Sequence, residues 1–255
     1  MIHPQAIVDP AAELHERVSV GPWSIIGPGV TIGADTKIES HVVIKGPTVI
    51  GERCRVFQFS TIGEETPDLK YKGEDTRLVI GDDNTIREGV TLHRGTVQDR
   101  GETTIGNNNL IMPYAHVGHD SVIGDHVILV NNSALAGHVI VDDWAVLGGY
   151  TLVYQRCRIG AHAFTGMGTQ VGKDIPAFVM AYGAPAKARA VNVEGLKRRD
   201  FSADDIALIR RGFKTVYRQG MTVEQALESL EADAANPHMQ TFSRSIRESG
   251  NGIVR

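Results

Sequence analysis

Residues 105–135 read IGNNNLIMPYAHVGHDSVIGDHVILVNNSAL, and an aliphatic side chain stands at every sixth position of this stretch. A period of six fits neither an α-helix, whose apolar face repeats every 3.6 residues, nor a plain amphipathic strand, whose period is two. It fits a coil with three flat sides, in which each hexad forms one side and points one aliphatic residue inward. The stretch therefore predicts a parallel β-helix of triangular section.

The same repeat extends outward from this stretch in both directions. Upstream it runs from Ile2 to Ile62 and resumes at Ile80, and downstream it runs to Ile159 and weakens towards Ala177. Glycine often follows the aliphatic residue, where it relieves backbone crowding at the corner. We therefore expect an all-β, parallel β-helix fold over residues 1–182. Both cysteines, Cys54 and Cys157, fall at the small-residue position of their hexads and are predicted to pack in the core.

The register is interrupted twice. Residues 68–79 (DLKYKGEDTRLV) and residues 98–104 (QDRGETT) are extra to the repeat. Counting the hexads in threes puts both interruptions at the corner between the second and third sides of the coil. Insertions in a solenoid form loops on one face, which is often the binding face. The sequence therefore predicts a site beside these two loops.

Histidines collect on the second side of the coil. His93, His119 and His138 fall in successive hexads of this side, and His116 falls at the corner just before it. Neighbouring coils are about 4.8 Å apart, so His119 and His138 should be close enough to share one small site. Asp120 follows His119 directly. Three histidines at the fourth position of their hexads are expected to be solvated corner residues: His41, His126 and His162.

Beyond the repeat, residues 183–255 are predicted to form a small α-helical C-terminal domain. Ser202 and Thr222 begin capping boxes, which predict helices that end near Arg218 and Ala235. A last helix is expected after a proline.

Between the coil and these helices, the segment Asn192–Arg199 (NVEGLKRR) places three cations beside an acidic and an amide group. One interpretation is a solvated basic turn. The other is a diphosphate clamp, because arginine offers bidentate geometry to phosphate.

Composition narrows the class of protein. The net charge of −4 argues against a general role in binding nucleic acid. No apolar run approaches the ~20 residues that a membrane-spanning helix needs, so stable membrane insertion is not expected. The N-terminus lacks the basic and apolar regions of a signal peptide, and two distant cysteines do not suggest a disulfide framework. The expected compartment is the cytoplasm.

Across its whole length, the chain resembles the UDP-N-acetylglucosamine O-acyltransferases of lipid A biosynthesis. The strings that carry the resemblance are QFSTIGE, DLKYKGE, LHRGTVQ, AHVGHD, LAGHV, GGYTLVYQ and VNVEGLKRR. The resemblance implies a left-handed helix, and a homotrimer with its sites in the clefts between subunits. It also implies transfer of an (R)-3-hydroxyacyl chain from acyl carrier protein to the 3-hydroxyl of UDP-N-acetylglucosamine, without a cofactor or a metal.

The resemblance also implies roles for residues of this chain. His119 would be the general base on the sugar hydroxyl, Asp120 would orient its ring, and the Gly137 N–H would stabilise the oxyanion. Asp68 and Lys70 would contact the sugar and acyl hydroxyls. Other groups of the acceptor would be contacted by His93, His116, His138 and Gln155. The nucleotide and its phosphates would be held by Asn192, Glu194, Arg198 and Arg199.

Two further positions bear on specificity. Met167 matches the residue that limits acyl length in the family, and glycine in some relatives admits a longer chain. Because each excluded methylene forfeits about 0.8 kcal/mol, we expect a donor of about ten carbons. The chain departs from the family at Tyr154, where many members have a histidine, and altered contacts with retained activity are expected there.

Three other functions have to be weighed. The N-acyltransferase of the same pathway is the nearest, and the sequence does not reveal whether the acceptor sugar carries oxygen or nitrogen at position three. A metalloenzyme like the γ-class carbonic anhydrases could bind zinc through His93, His116 and His119. This alternative leaves the segment Asn192–Arg199 unexplained. A non-catalytic β-helix scaffold leaves the histidines beside paired loops unexplained.

Overall fold

A computed structural model describes all 255 residues. Residues up to 182 wind into a left-handed parallel β-helix, which confirms the fold predicted from the six-residue repeat. In chain order the strands are β1 (Ile7–Val8), β2 (Glu13–Leu14), β3 (Ser19–Val20), β4 (Ile25–Ile26), β5 (Val30–Ile32), β6 (Lys37–Ile38), β7 (Val43–Ile44), β8 (Thr48–Ile50), β9 (Arg55–Val56), β10 (Thr61–Glu64), β11 (Arg77–Ile80), β12 (Thr85–Ile86), β13 (Thr91–His93), β14 (Glu102–Ile105), β15 (Leu110–Ile111), β16 (His116–Val117), β17 (Val122–Ile123), β18 (Ile128–Leu129), β19 (Ala134–Leu135), β20 (Ile140–Val141), β21 (Val146–Leu147), β22 (Leu152–Val153), β23 (Arg158–Ile159), β24 (Phe164–Thr165), β25 (Gln170–Val171), β26 (Val179–Tyr182) and β27 (Lys187–Val191).

Up to β25, every third strand belongs to the same sheet, so the coil has three faces. The nine-stranded sheet runs from β1 through β4 to β25, and it is the predicted second side. An eight-stranded sheet runs from β2 to β23, and a ten-stranded sheet from β3 to β27. Inside the prism the aliphatic residues stack in columns and are almost fully buried, as at Ile62, Leu92, Val117 and Leu135. Cys54 and Cys157 are free and buried, as predicted.

Both interruptions join the nine-stranded sheet to the eight-stranded sheet. A regular coil separates paired residues by 18 positions, whereas the separation is 30 across the first interruption and 25 across the second. The bounds differ from the predicted ones, because β11 and β14 begin early and pair over four residues each. The irregular segments are therefore residues 65–76, here called the first loop, and residues 94–101, here called the second loop.

The C-terminal residues form a small helical domain on the end of the coil. Strand β27 turns back antiparallel to β26 and leads into α1 (Val193–Lys197), α2 (Ala203–Arg218), α3 (Val223–Leu230) and α4 (Pro237–Arg247). Ser202 and Thr222 cap α2 and α3 as predicted, and a short 3-10 turn (Glu231–Asp233) replaces the expected end of α3. None of the helices is long and apolar enough to cross a membrane.

Candidate active site

His119 and Asp120 form a buried pair at the corner that follows β16. Only 8% of His119 and 2% of Asp120 is exposed, and the His119 Nδ1 lies 2.8 Å from the Asp120 Oδ2. Asp120 has a φ of 59°, a left-handed conformation that aspartate tolerates better than most residues. An ionised carboxylate can only accept a hydrogen bond, so His119 donates from Nδ1 and carries its lone pair on Nε2.

The second loop holds the Asp120 carboxylate in place. The Thr96 N–H donates to Oδ1 at 2.9 Å and the Thr96 hydroxyl donates to Oδ2 at 2.7 Å. The Asp120 N–H donates in turn to the hydroxyl of Thr103, at 2.8 Å. Burial by itself would raise the pKa of Asp120, but the hydrogen bonds from Thr96 and His119 outweigh it and lower that pKa. Asp120 is therefore ionised at neutral pH.

Gly137 lies against the His119 ring from the next coil. A Cβ atom at this position would stand 2.5 Å from both Cε1 and Nε2 of His119, which only glycine avoids. The Gly137 N–H forms no hydrogen bond within the chain. A free backbone donor therefore lies beside the atom that carries the imidazole lone pair.

His138 follows Gly137 and forms a second imidazole–carboxylate pair. Its Nδ1 lies 2.5 Å from the Oδ2 of Asp99 in the second loop, and its ring centroid is 4.9 Å from that of His119. The spacing of the repeat predicts that His119 and His138 lie together, and the contact is confirmed, but the spacing does not predict Asp99. The available signal was its position in an insertion at the corner where the histidines collect.

His93 and His116 form a separate pair on the outer face of the nine-stranded sheet. Their ring centroids are 5.0 Å apart, and the Nδ1 of His116 lies 2.7 Å from the Thr91 hydroxyl. Burial lowers the pKa of His116 and lowers that of His93 to about 4, with a further contribution from the neighbouring ring, so both imidazoles are neutral at pH 7. His116 lies in a strand and not at the corner as predicted, because β16 begins one residue earlier than the aliphatic repeat.

The separation of His93 and His116 from His119 bears on metal binding. The zinc site considered above needs His93, His116 and His119, but His119 is grouped with Asp120 and His138, whose ligand atoms lie within 4.8 Å of one another. Such a set could hold a transition-metal ion. The Asp120 carboxylate, however, already accepts hydrogen bonds from Thr96 and His119, and these bonds would have to break.

An apolar groove of about 620 Å³ adjoins these histidines on the nine-stranded sheet. His116, Leu152, Tyr154 and Gln155 are among its lining residues. A second groove of about 430 Å³ shares Leu152 and Tyr154 with the first and continues along the same face. Tyr154 is 75% exposed and stands between the two grooves. Met167 is 81% exposed, so it does not fill the core of the coil.

The first loop presents Asp68 and Lys70. The Asp68 Oδ1 accepts the Lys70 N–H at 2.9 Å, while the Lys70 ammonium group is exposed. Arg94 anchors this loop from beneath, because its buried guanidinium donates to the Gly46 carbonyl at 2.5 Å and to the Tyr71 hydroxyl at 3.1 Å. The loop is thus tied to the coil through Arg94.

The segment Asn192–Arg199 forms α1 and its flanks. Asn192 is buried, accepts the Gly195 N–H as a cap and donates to the His162 carbonyl, so its side chain holds this turn. Glu194 is exposed and pairs with Lys197. Arg198 is exposed and makes no ion pair within the chain.

Arg199 is half-buried and has no carboxylate partner. Its guanidinium lies over Trp144, 5.1 Å from the ring centroid, and donates to the Nδ1 of His162 at 3.2 Å. Burial, reinforced by the Arg199 charge, lowers the pKa of His162 to about 4. The prediction of a solvated corner residue is therefore wrong for His162, because the C-terminal domain folds over that corner and Phe201 packs edge-on against the ring.

Comparison with known proteins points to one family. The chain matches a family model described as Udp N-acetylglucosamine O-acyltransferase, Domain 2, over residues 174–254, and a bacterial transferase hexapeptide model over residues 102–137. It is 66% identical to the acyl-(acyl-carrier-protein)–UDP-N-acetylglucosamine O-acyltransferase of Saccharophagus degradans and 65% identical to that of Stutzerimonas stutzeri. Each alignment covers 100% of this chain and 99% of the relative.

Solved structures agree with this result. The UDP-N-acetylglucosamine O-acyltransferase of Moraxella catarrhalis is 43% identical, with a TM-score of 0.97 over 100% of this chain and 99% of that one. The UDP-N-acetylglucosamine acyltransferase of Bacteroides fragilis is 38% identical, with a TM-score of 0.98 over 100% of both chains.

Proposed function

The chain belongs to the family of acyl-(acyl-carrier-protein)–UDP-N-acetylglucosamine O-acyltransferases, and on that premise we propose how its own side chains carry out the reaction. It is an acyltransferase of lipid A biosynthesis that moves an acyl chain from acyl carrier protein to an oxygen of the sugar nucleotide. The N-acyltransferase and metalloenzyme alternatives are not favoured, since full-length relatives at 65–66% identity carry the O-acyltransferase name.

The observation that carries the mechanism is the buried His119–Asp120 pair with the His119 Nε2 directed over Gly137. A sugar hydroxyl is a poor nucleophile at neutral pH, so its proton passes to Nε2 as its oxygen attacks the thioester carbonyl carbon. The Gly137 N–H donates to the oxyanion that forms. The C–S bond then breaks, and the leaving thiolate takes the proton back from the imidazolium. The products are the sugar ester and free acyl carrier protein thiol.

The charge and position of further side chains support proposed contacts with the sugar nucleotide. Arg198 and Arg199 are cations without a carboxylate partner, and they would hold the diphosphate. Asn192 caps the short helix α1 and Glu194 lies in its first turn, and both are proposed to help hold the nucleotide. Asp68 and Lys70 are proposed to contact the sugar and acyl hydroxyls. Contacts to other acceptor groups are proposed for His93, His116, His138 and Gln155.

The acyl chain would lie in the apolar grooves beside Leu152 and Tyr154. Because the side chain of Met167 projects outward from the late coils, it can shorten such a path. We propose an (R)-3-hydroxyacyl donor of about ten carbons, since each methylene left outside an apolar groove forfeits about 0.8 kcal/mol.

A homotrimer is part of the proposal. The grooves lie open on the outer face of the coil, and this face carries large exposed apolar side chains such as Leu152, Tyr154 and Ile25. A second copy packed against this face would close the grooves into a cleft.

The donor protein is proposed to dock in a groove of about 590 Å³ between β27 and α2. Five cations line it: Arg189, Arg210, Arg211, Lys214 and Arg218. A concentration of positive charge in a chain of net charge −4 is suited to the acidic surface of acyl carrier protein. A cytoplasmic location is proposed with it, since both cysteines are free thiols, as is usual in a reducing compartment.

The test is a single-turnover assay with defined acyl carrier protein thioesters and UDP-N-acetylglucosamine. His119→Ala should lose at least ~100-fold in kcat while it stays folded, because that is the usual contribution of a general base. His15→Ala, an exposed histidine in an early coil, is the matched control and should keep the wild-type rate. Near wild-type turnover in His119→Ala would remove the assignment of His119 as the base.

A further inference from the structure

The second loop supplies a carboxylate that the mechanism above does not use. The Asp99 Oδ2 lies 2.5 Å from the His138 Nδ1, whereas the Asp120 Oδ2 lies 3.9 Å from the same atom. A local turn holds Asp99 there, because the Thr96 carbonyl accepts the N–H groups of both Asp99 and Gly101. The contact is therefore built into the loop.

This contact fixes which nitrogen of His138 faces outward. An ionised carboxylate only accepts, so Nδ1 carries the proton that it donates to Asp99, and the neutral ring carries its lone pair on Nε2. No group of the chain bonds to that Nε2 atom. His119 has the same arrangement with Asp120, and the two rings stand edge to face with an interplanar angle of 83°.

We infer that Asp99 is a positioning residue for acyl transfer, which holds His138 so that its Nε2 accepts a hydrogen bond from a hydroxyl or N–H group of the substrate. The site thus contains two imidazole–carboxylate pairs side by side. His119–Asp120 moves the proton, and Asp99–His138 orients the group that is bound next to it. This inference rests on the proposed function and adds a specific residue to it.

A carboxylate that orients a catalytic ring has a measurable effect. Asp99→Ala leaves the ring free to rotate and to change tautomer. We expect kcat/KM to fall by about 10- to 100-fold, by analogy with the carboxylates that orient metal-ligating histidines. Asp99→Asn can still accept the Nδ1–H through its amide oxygen, so its loss should be smaller. Arg100→Ala, the exposed neighbour in the same loop, is the control and should keep the wild-type value.

A double-mutant cycle separates positioning from loop folding. If Asp99 acts through His138, Asp99→Ala should cause no further loss in a His138→Ala background. Wild-type kinetics in Asp99→Ala, additive losses in the double variant, or an equal loss in Arg100→Ala would each overturn the inference. His119→Ala, measured in parallel, keeps the two questions apart. If His119→Ala is inactive and Asp99→Ala is normal, only this inference fails; if His119→Ala is active, the proposed mechanism fails.

Discussion

Replacing Gly137 with alanine adds one methyl group against the proposed catalytic base. The ideal Cβ would stand 2.5 Å from Cε1, 2.5 Å from Nε2 and 3.0 Å from Cδ2 of His119. Gly137 does not have a positive φ, so alanine brings no backbone strain, and the methyl contact is the whole perturbation. Ordinary carbon contacts are about 3.5 Å or longer, so the ring has to retreat by about 1 Å.

The ring has little room to retreat. Its Nδ1 is tied to Asp120 at 2.8 Å, and both oxygens of Asp120 are tied to Thr96. A displacement of about 1 Å at a reacting group can cost ~10²-fold in rate. We therefore expect Gly137→Ala to lower kcat by about 100-fold, with a much smaller change in KM for the sugar nucleotide, since the phosphate contacts lie elsewhere.

The assay is steady-state acyl transfer at saturating donor, with thermal unfolding as the check on folding. Gly149→Ala is the matched control, because its Cβ would meet nothing closer than 3.3 Å, and it should keep the wild-type rate. Gly137→Ala retains its N–H, so a large loss cannot come from removing the oxyanion donor. A variant with wild-type kcat and an unchanged melting temperature would show that the His119 ring does not work from this position.

Three further outcomes are expected. Replacing Arg198 and Arg199 together by alanine should raise KM for the sugar nucleotide more than it lowers kcat; if only the KM for acyl carrier protein rises, these cations serve the donor. Met167→Gly should shift the preferred donor from about ten to roughly fourteen carbons in a competition assay, because the space that the side chain leaves admits more methylenes. Identical preferences in the variant and the wild type would show that another residue limits acyl length. Thr96→Val removes a hydrogen bond that lowers the pKa of Asp120, so the pKa of that carboxyl should rise in an NMR titration; an unchanged pKa would show that the Thr96 hydroxyl does not stabilise the carboxylate.

The sequence predicts the coil well because its repeat is strict. One buried aliphatic residue per hexad determines the face of each strand, and the offset of 18 residues between coils follows from three hexads. The ends of the loops were less predictable, since aliphatic spacing marks only the last residue of a strand. Residues 77–79 and 102–104 belong to strands because they pair with each other. Residues 78–79 also pair with β8 and Thr104 with β17, and the period does not reveal any of this pairing.

In the candidate site, too, the residues on the coil could be predicted from the repeat and those on the second loop could not. His119 and His138 could be brought together by counting, because they occupy one corner in neighbouring coils. Their partners Thr96 and Asp99 could not, because the second loop has no period and its turn depends on hydrogen bonds to the Thr96 carbonyl. The burial of His162 was unpredictable for another reason: the domain that buries it is more than thirty residues away in sequence, and only the fold brings Arg199 onto it.

The corners of the coil show what the second loop contributes to the chemistry. His41 and His126 also occupy corners with positive φ, and each stacks on an aromatic ring of the neighbouring coil, at centroid distances of 4.9 and 3.9 Å. Neither forms a side-chain hydrogen bond, because no loop covers those corners. The coil by itself therefore leaves the tautomers of these two imidazoles undetermined. At the corner of His119 and His138, the second loop supplies Thr96 to hold one carboxylate and Asp99 as another, and both rings gain a fixed orientation.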